Sequence, residues 1–141
     1  MKDTDEVSPA TVPTTEDRRE HILVVDDEPA VRRFAARVLR EGGFGVHEAA
    51  DGAEALELIQ EGNIHPAVVV SDIVMPRMNG VQLLESLSML RPDLPVILMS
   101  GYGTTELAQR GIASPCGVLS KPFPPGALLA EVRRCIRSQL T

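Results

Sequence analysis

The stretch HILVVDDEP, residues 21–29, places four consecutive apolar residues directly before a pair of acids. The apolar run Ile22–Val25 is typical of a short strand that is buried on both faces, as in a parallel sheet. Asp26 and Asp27 follow at once, and Pro29 suits the first position of a helix. Like charges at one site repel and raise each other's pKa, so the rest of the chain must supply something that offsets this repulsion.

Apolar runs alternate with helical patterns along the remainder of the folded sequence. Helical spacing predicts helices over residues 29–41, 51–59, 81–90, 105–111 and 125–139. Continuous apolar runs predict further strands over residues 45–48, 67–72, 95–100 and 118–120. Such strict alternation predicts a parallel sheet that is covered by helices on both faces.

Polar side chains stand where the predicted strands end. Crossover connections in parallel sheets are right-handed, so the carboxyl ends of all strands meet at one edge, where ligands bind. The residues that the sequence places at those ends are Asp26, Asp27, Asp72, Ser100 and Lys121. The sequence therefore predicts one polar site built from distant parts of the chain.

The chemistry of these side chains points to a metal ion and a phosphoryl group. Three carboxylates form a hard-oxygen site with too few ligands for calcium, and they suit magnesium, which keeps several waters and shares its shell with phosphate. Lys121 and Ser100 are suited to stabilising charge on a transferring phosphoryl group. Asp72 is then the candidate nucleophile, because a carboxylate can attack phosphorus to form an acyl phosphate.

Composition limits the classes of protein and partner. The chain has 141 residues, 43% of them hydrophobic and 24% charged, which is the balance of one globular domain. A net charge of −6 argues against nonspecific binding to nucleic acid. No apolar run approaches the roughly 20 residues that span a bilayer, and the chain start does not resemble a secretory signal. We therefore expect a cytoplasmic protein without membrane or nucleic-acid partners.

Several residues have plain structural interpretations. Residues 1–19, acidic and rich in Pro and Thr, are expected to form a disordered tail that precedes a folded domain over residues 20–141. Cys116 and Cys135 lie far apart without metal-ligand spacing and are expected to be unpaired, buried or idle thiols. The three histidines, His21, His47 and His65, also show no metal-ligand spacing and are expected to be solvated.

Four motifs together resemble the receiver domain of two-component response regulators: VVDDEP, VVSDIVMPRMNG, ILMSGYG and VLSKPF. The resemblance covers residues 21–140 in the right order and spacing. It implies a flavodoxin-like (βα)5 fold with strand order 2-1-3-4-5. The short segment between Ser100 and Lys121 is similar to that of receivers fused to hybrid sensor kinases.

The resemblance also implies a role for each site residue. Asp72 corresponds to the phosphoacceptor. Asp26 and Asp27 correspond to the metal-binding acids, which share Mg²⁺ (or Mn²⁺) with Asp72 and with the backbone carbonyl of Val74. Ser100 corresponds to the hydroxyl that shifts to bond the phosphoryl oxygen.

Lys121 corresponds to the lysine that pairs with the phosphoryl group, and its bond to Pro122 corresponds to the cis peptide of the family. Three further positions could modulate the site. Val118 stands where the family has its switch aromatic. Tyr102 lies beside Ser100 and either shields the acyl phosphate or is an exposed loop residue, and Val74 is apolar where some relatives are polar.

The expected function is that of a receiver that takes a phosphoryl group from a histidine kinase or histidine phosphotransfer protein onto Asp72. It would catalyse only its own phosphorylation and dephosphorylation and signal by contact with a downstream protein, as a monomer or a phosphorylation-dependent dimer. An aspartate-nucleophile phosphatase is a second hypothesis, although Val74 stands where such enzymes carry a general acid. A receiver-like binding module that is never phosphorylated is a third, which Val118 keeps open.

Overall fold

The structure of the chain is a computed structural model that describes residues 19–101 and 113–139. Most of the expected tail, the expected helix over residues 105–111, and Tyr102 lie outside the described residues. The elements are β1 His21–Val25, α1 Pro29–Glu41, β2 Gly45–Ala49, α2 Gly52–Gln60, β3 Val68–Asp72, α3 Gly80–Leu90, β4 Val96–Ser100, β5 Gly117–Ser120 and α4 Pro125–Gln139. None of the helices in these ranges combines the length and the hydropathy of a membrane-spanning segment.

The five strands form one parallel sheet in the order β2-β1-β3-β4-β5. This confirms the order 2-1-3-4-5 that the resemblance implied. Successive side chains of a strand point to opposite faces, so Leu23 and Val25 pack against α2 and α3, while Ile22 and Val24 pack against α1 and α4. The run Ile22–Val25 is apolar throughout because helices cover both faces of its strand.

The register of the sheet brings the predicted strand ends to one edge. Val25 of β1 lies opposite Ser71 of β3, so Asp26 and Asp72 extend from the same end of neighbouring strands. Ser100 closes β4 opposite Ser120 of β5, and Lys121 follows directly. The polar residues that the sequence placed at strand ends therefore share the carboxyl edge of the sheet.

Side-chain caps fix where α2 and α3 begin. The carboxylate of Asp51 accepts a hydrogen bond of 2.8 Å from the N–H of Glu54, as its spacing predicts. The Glu54 carboxylate accepts from the N–H of Ala50, one residue before the cap. On α3 a full capping box joins Asn79 and Gln82, a pattern that was present in the sequence and was missed.

Replacing Asp51 with alanine is expected to lower the free energy of unfolding at neutral pH by about 1–2 kcal/mol, since an N-cap is lost. Hydrogen bonds from Arg77 and from the N–H of Glu54 hold the pKa of Asp51 below its usual value, against the opposing effect of burial. The folded-state pKa is depressed, so this stabilisation is present above about pH 4 and is lost as the pH falls through the folded pKa.

Urea unfolding of wild type and Asp51→Ala at neutral pH and at about pH 3 measures this difference. The exposed residue Asp93 provides the control, as Asp93→Ala removes an acid without removing a cap. A destabilisation that is equally large at both pH values would contradict the role of the ionised carboxylate.

A disulfide joins Cys116, which precedes β5, to Cys135 of α4, so the expectation of unpaired thiols is wrong. Their Cα atoms lie 6.2 Å apart, within the range that a disulfide bridges. The pairing follows from the crossover of the chain, since α4 folds back over the strand that begins beside Cys116. The guanidinium of Arg134 also reaches the carbonyl oxygen of Cys116 at 2.6 Å.

Candidate functional site

Three carboxylates converge at the carboxyl edge of the sheet. Asp26 and Asp27 follow β1, and Asp72 is the last residue of β3; each offers an oxygen atom, and these atoms lie within 4.8 Å of one another. The side chain of Asp26 is fully buried, that of Asp72 is 14% exposed, and Asp27 is exposed to solvent. The cluster is thus open on one side and closed on the other.

The turn between β1 and α1 holds Asp26 in place. Its Oδ1 accepts a hydrogen bond of 2.9 Å from the N–H of Glu28, and its carbonyl oxygen accepts one of 2.8 Å from Arg32. Glu28 is the N-cap residue of α1, but it makes no side-chain cap bond. The carboxylate of Asp26 thus orders the turn rather than satisfying the first turn of the helix.

Lys121 connects the two inner acids. Its Nζ lies 3.2 Å from Oδ2 of Asp26 and 3.2 Å from Oδ1 of Asp72. The backbone N–H of Lys121 donates to the carbonyl oxygen of Ser100 at 2.8 Å, which fixes the main chain beyond β5. The peptide bond between Lys121 and Pro122 is cis.

The electrostatics of the site leave an excess of negative charge. Burial raises the pKa of Asp72, repulsion from Asp26 adds to this, and Lys121 and the N–H of Ile73 oppose it. Burial alone would lower the pKa of Lys121, but attraction to Asp26 and Asp72 outweighs it, so the pKa rises and the ammonium stays charged. One lysine faces three carboxylates, so the site keeps a net negative charge that a divalent cation would neutralise.

The loop after β3 orients Asp72. Its Oδ1 accepts a hydrogen bond of 2.9 Å from the N–H of Ile73, in addition to the contact with Lys121. Both of these contacts use Oδ1 and neither uses Oδ2. Gly80 packs so closely on the carbonyl oxygen of Asp72 that any Cβ atom there would overlap it.

Ser100 reaches the same edge from β4. Its side chain is buried, and its hydroxyl donates to the carbonyl oxygen of Gly101 at 3.1 Å. Met99 lies opposite Asp72 in the register of β3 and β4, so Ser100 extends one residue beyond the acid.

The residues expected to modulate the site occupy different environments. Val74 is 60% exposed in the loop that follows Asp72. Val118 lies in β5 and packs against the apolar core under α2 and α3. Tyr102 lies outside the described residues, so its role stays a prediction.

Two features beside the site were not predicted from the sequence. An apolar groove of about 530 Å³ lies against Lys121 and is lined by Ala30, Val31, Phe34, Gly101, Pro122 and Phe123. Arg77, in the loop between β3 and α3, has a φ of 69° and forms an ion pair with Asp51. Neither carried a sequence signal, because each depends on contacts between elements that are distant along the chain.

Comparison with known proteins identifies one protein family over most of the chain. Residues 22–133 match the response regulator receiver domain. The chain is 41% identical over 119 residues to the sensor kinase CckA of Brucella abortus. The aligned region covers 84% of this chain and 13% of CckA. It is 39% identical over 121 residues to the C4-dicarboxylate transport transcriptional regulatory protein DctD of Pseudomonas aeruginosa, covering 85% of this chain and 26% of DctD.

Among solved structures, a CheY-like response regulator receiver domain protein of Methanospirillum hungatei superposes with a TM-score of 0.80 and 30% sequence identity. That match covers 86% of this chain and 97% of the other. The chain thus spans nearly all of a receiver domain, but about a quarter or less of the length of the two curated relatives. The chain belongs to the response regulator receiver domains of two-component systems.

Proposed function

We propose that the chain accepts a phosphoryl group on Asp72 from a histidine kinase or a histidine phosphotransfer protein. The observation that carries this proposal is the contact of Lys121 with both Asp26 and Asp72, at 3.2 Å each, beside an exposed third acid. A structural ion pair needs one carboxylate, whereas three carboxylates and one lysine at a sheet edge suit a charged ligand.

The donor set fits Mg²⁺ or Mn²⁺. Oxygen ligands are those that these hard cations prefer. The carboxylates of Asp26, Asp27 and Asp72 would hold the ion together with the carbonyl oxygen of Val74. A bound divalent ion supplies charge neutralisation for the oxygens of a transferring phosphoryl group.

Each side chain of the site has a separate role in the transfer of the phosphoryl group. Oδ2 of Asp72 attacks the phosphorus atom as the bond from phosphorus to the donor nitrogen breaks, and that nitrogen keeps the electron pair. Lys121 lies against Oδ1 of Asp72, from where its ammonium donates to an oxygen of the arriving group. Ser100 supplies a hydroxyl to a second oxygen. The product is an acyl phosphate on Asp72.

The apolar groove beside Lys121 supports docking of the phosphodonor. Phe34 is 43% exposed at the groove, and its ring centroid lies 6.4 Å from that of Phe123. Exposed aromatic rings next to a polar centre are typical of a protein contact surface. A donor helix placed there would bring its histidine beside Asp72.

Our proposal about downstream signalling concerns the receiver domain alone. We infer that it signals by contact with a downstream protein, in the cytoplasm, as a monomer or a phosphorylation-dependent dimer. The proposal that it binds no nucleic acid concerns these residues alone, because DctD, a relative, is named a transcriptional regulatory protein.

Intact mass after incubation with acetyl phosphate tests the proposal. We expect one phosphoryl adduct in the presence of Mg²⁺, none after chelation, and none in Asp72→Ala, because that variant lacks the nucleophile. Asp93→Ala, which removes an exposed acid outside the site, is the matched control and is expected to label like wild type. Labelling of Asp72→Ala would overturn the assignment; no uptake from acetyl phosphate or from histidine kinases would favour a binding module.

A further inference from the structure

Two histidines face each other across β1 and β2, at a distance from the acidic cluster. His21 is the first residue of β1, and His47 is the central residue of β2. Nδ1 of His21 lies 3.2 Å from Nε2 of His47, and both side chains are partly buried. At this distance one of the two nitrogens donates a hydrogen bond to the other, the ring planes lie 25° apart, and both residues line a cavity that solvent can reach.

The backbone provides room for this arrangement. Gly45 lies opposite His21 in the register of the two strands, and a Cβ atom there would stand 2.6 Å from Nδ1 and Cε1 of the His21 ring. Only a glycine leaves space for the ring to lie across β2 and reach His47. The strands are also fixed on both sides, because Gly45 donates to the carbonyl oxygen of Glu20 and Ala67 donates to that of His21.

We propose that His21 and His47 chelate a transition-metal ion of the Zn²⁺ class. Metal–nitrogen bonds of about 2.0–2.1 Å would close a nitrogen–metal–nitrogen angle of about 100° across this pair, close to the tetrahedral angle that Zn²⁺ adopts. Imidazole is a preferred ligand of Zn²⁺, Cu²⁺ and Ni²⁺, whereas Mg²⁺ prefers oxygen. Binding requires the tautomers with the proton on Nε2 of His21 and Nδ1 of His47, so the metal ion replaces the proton that joins the two facing nitrogens in the hydrogen bond.

The surroundings leave space for the remaining ligands. A cavity of about 420 Å³ adjoins the pair, and Glu20, Asn63 and His65 line it, so water can complete the shell; among the described residues no acid lies within ligating distance of both histidines. Arg19 and Arg40 also line the cavities beside the pair and oppose a cation. The guanidinium of Arg40 is held by the carbonyl oxygen of Val46, to which it donates, and by the carboxylate of Glu48. The proposal does not depend on phosphorylation of Asp72.

Calorimetric titration of tag-free protein with Zn²⁺, in excess Mg²⁺ to occupy the acidic cluster, tests the proposal. We expect one Zn²⁺ per chain, and an affinity that falls in both His21→Gln and His47→Gln by at least the roughly ten- to hundred-fold that loss of an outer-shell partner costs. His65→Gln is the matched control: it removes a histidine from the rim of the same cavity and is expected to keep the wild-type affinity within about threefold.

Imidazole nitrogen resonances of wild type, followed by NMR during the titration, provide a readout that does not depend on the variants. We expect Zn²⁺ to shift the resonances of His21 and His47 and to leave those of His65 in place. No saturable binding would overturn the proposal. So would an affinity unchanged in His47→Gln, a loss in His65→Gln as large as that in His47→Gln, or shifts confined to His65.

Discussion

Replacing Lys121 with methionine is expected to slow phosphoryl uptake by Asp72 by about two to three orders of magnitude, the usual cost of removing one donor from a charge-stabilising site. The ammonium lies 3.2 Å from both Asp26 and Asp72, so it is the cation that the described residues place against the carboxylate of Asp72. Methionine retains much of the length of the lysine stem and removes the charge. Rates of labelling by acetyl phosphate at saturating Mg²⁺ measure the effect.

The same variant should bind a divalent cation more tightly, since removing a positive charge leaves the three carboxylates less compensated. Calorimetric titration with Mg²⁺ measures this second effect, and opposite changes in rate and affinity distinguish loss of a donor from misfolding. Arg33→Met, which removes an exposed cation of α1, is the control. Wild-type labelling by Lys121→Met would contradict the role given to the lysine.

Replacing Gly80 with alanine is expected to lower the free energy of unfolding by about 1–3 kcal/mol, because overpacking forces the backbone to move. A Cβ atom at Gly80 would overlap the carbonyl oxygen of Asp72 and lie 3.0 Å from Cα of Ile73. Both neighbours are main-chain atoms and cannot rotate away. Asp72 or the start of α3 must therefore shift, and a displacement of about 1 Å at a reacting group can cost about a hundredfold in rate.

Urea unfolding and labelling rates of Gly80→Ala measure these two effects. Gly126→Ala is the matched control, because Gly126 lies near the start of another helix and a Cβ atom there meets nothing within 4 Å. We expect the control to be as stable as wild type or slightly more stable. Equal stability and equal labelling of the two variants would show that the loop after β3 can adjust to the added methyl group.

The sheet and its order were predictable because each strand carries its own signal. Ile22–Val25 is apolar on both faces, and the acids after it mark the carboxyl edge of the sheet. The convergence of Asp26, Asp72 and Lys121 followed from the rule that parallel strands share one carboxyl edge. The capping box of Asn79 was equally local, and its spacing would have predicted it.

The features that were not predicted depend on distances between elements. Cys116 and Cys135 are 19 residues apart, and only the packing of α4 over β5 brings them together. His21 and His47 meet because of the register between two strands, which no spacing along the chain expresses. The groove at Phe34 likewise forms only when the loop after β5 approaches α1.

The parallel sheet has a consequence for how fast the molecule folds. The strand pairing with the smallest separation along the sequence, that of β4 with β5, joins residues 20 positions apart, such as Ile97 and Gly117. Ile22 of β1 pairs with Val68 of β3 over 46 positions. Each such pairing must close a long loop before any contact stabilises it, which is typical of slow folding. The contact of Lys121 with Asp26 spans 95 positions and needs β1, β3, β4 and β5 aligned together. Formation of this contact therefore reports that these four strands have assembled, whereas the edge strand β2 lies outside the path between them.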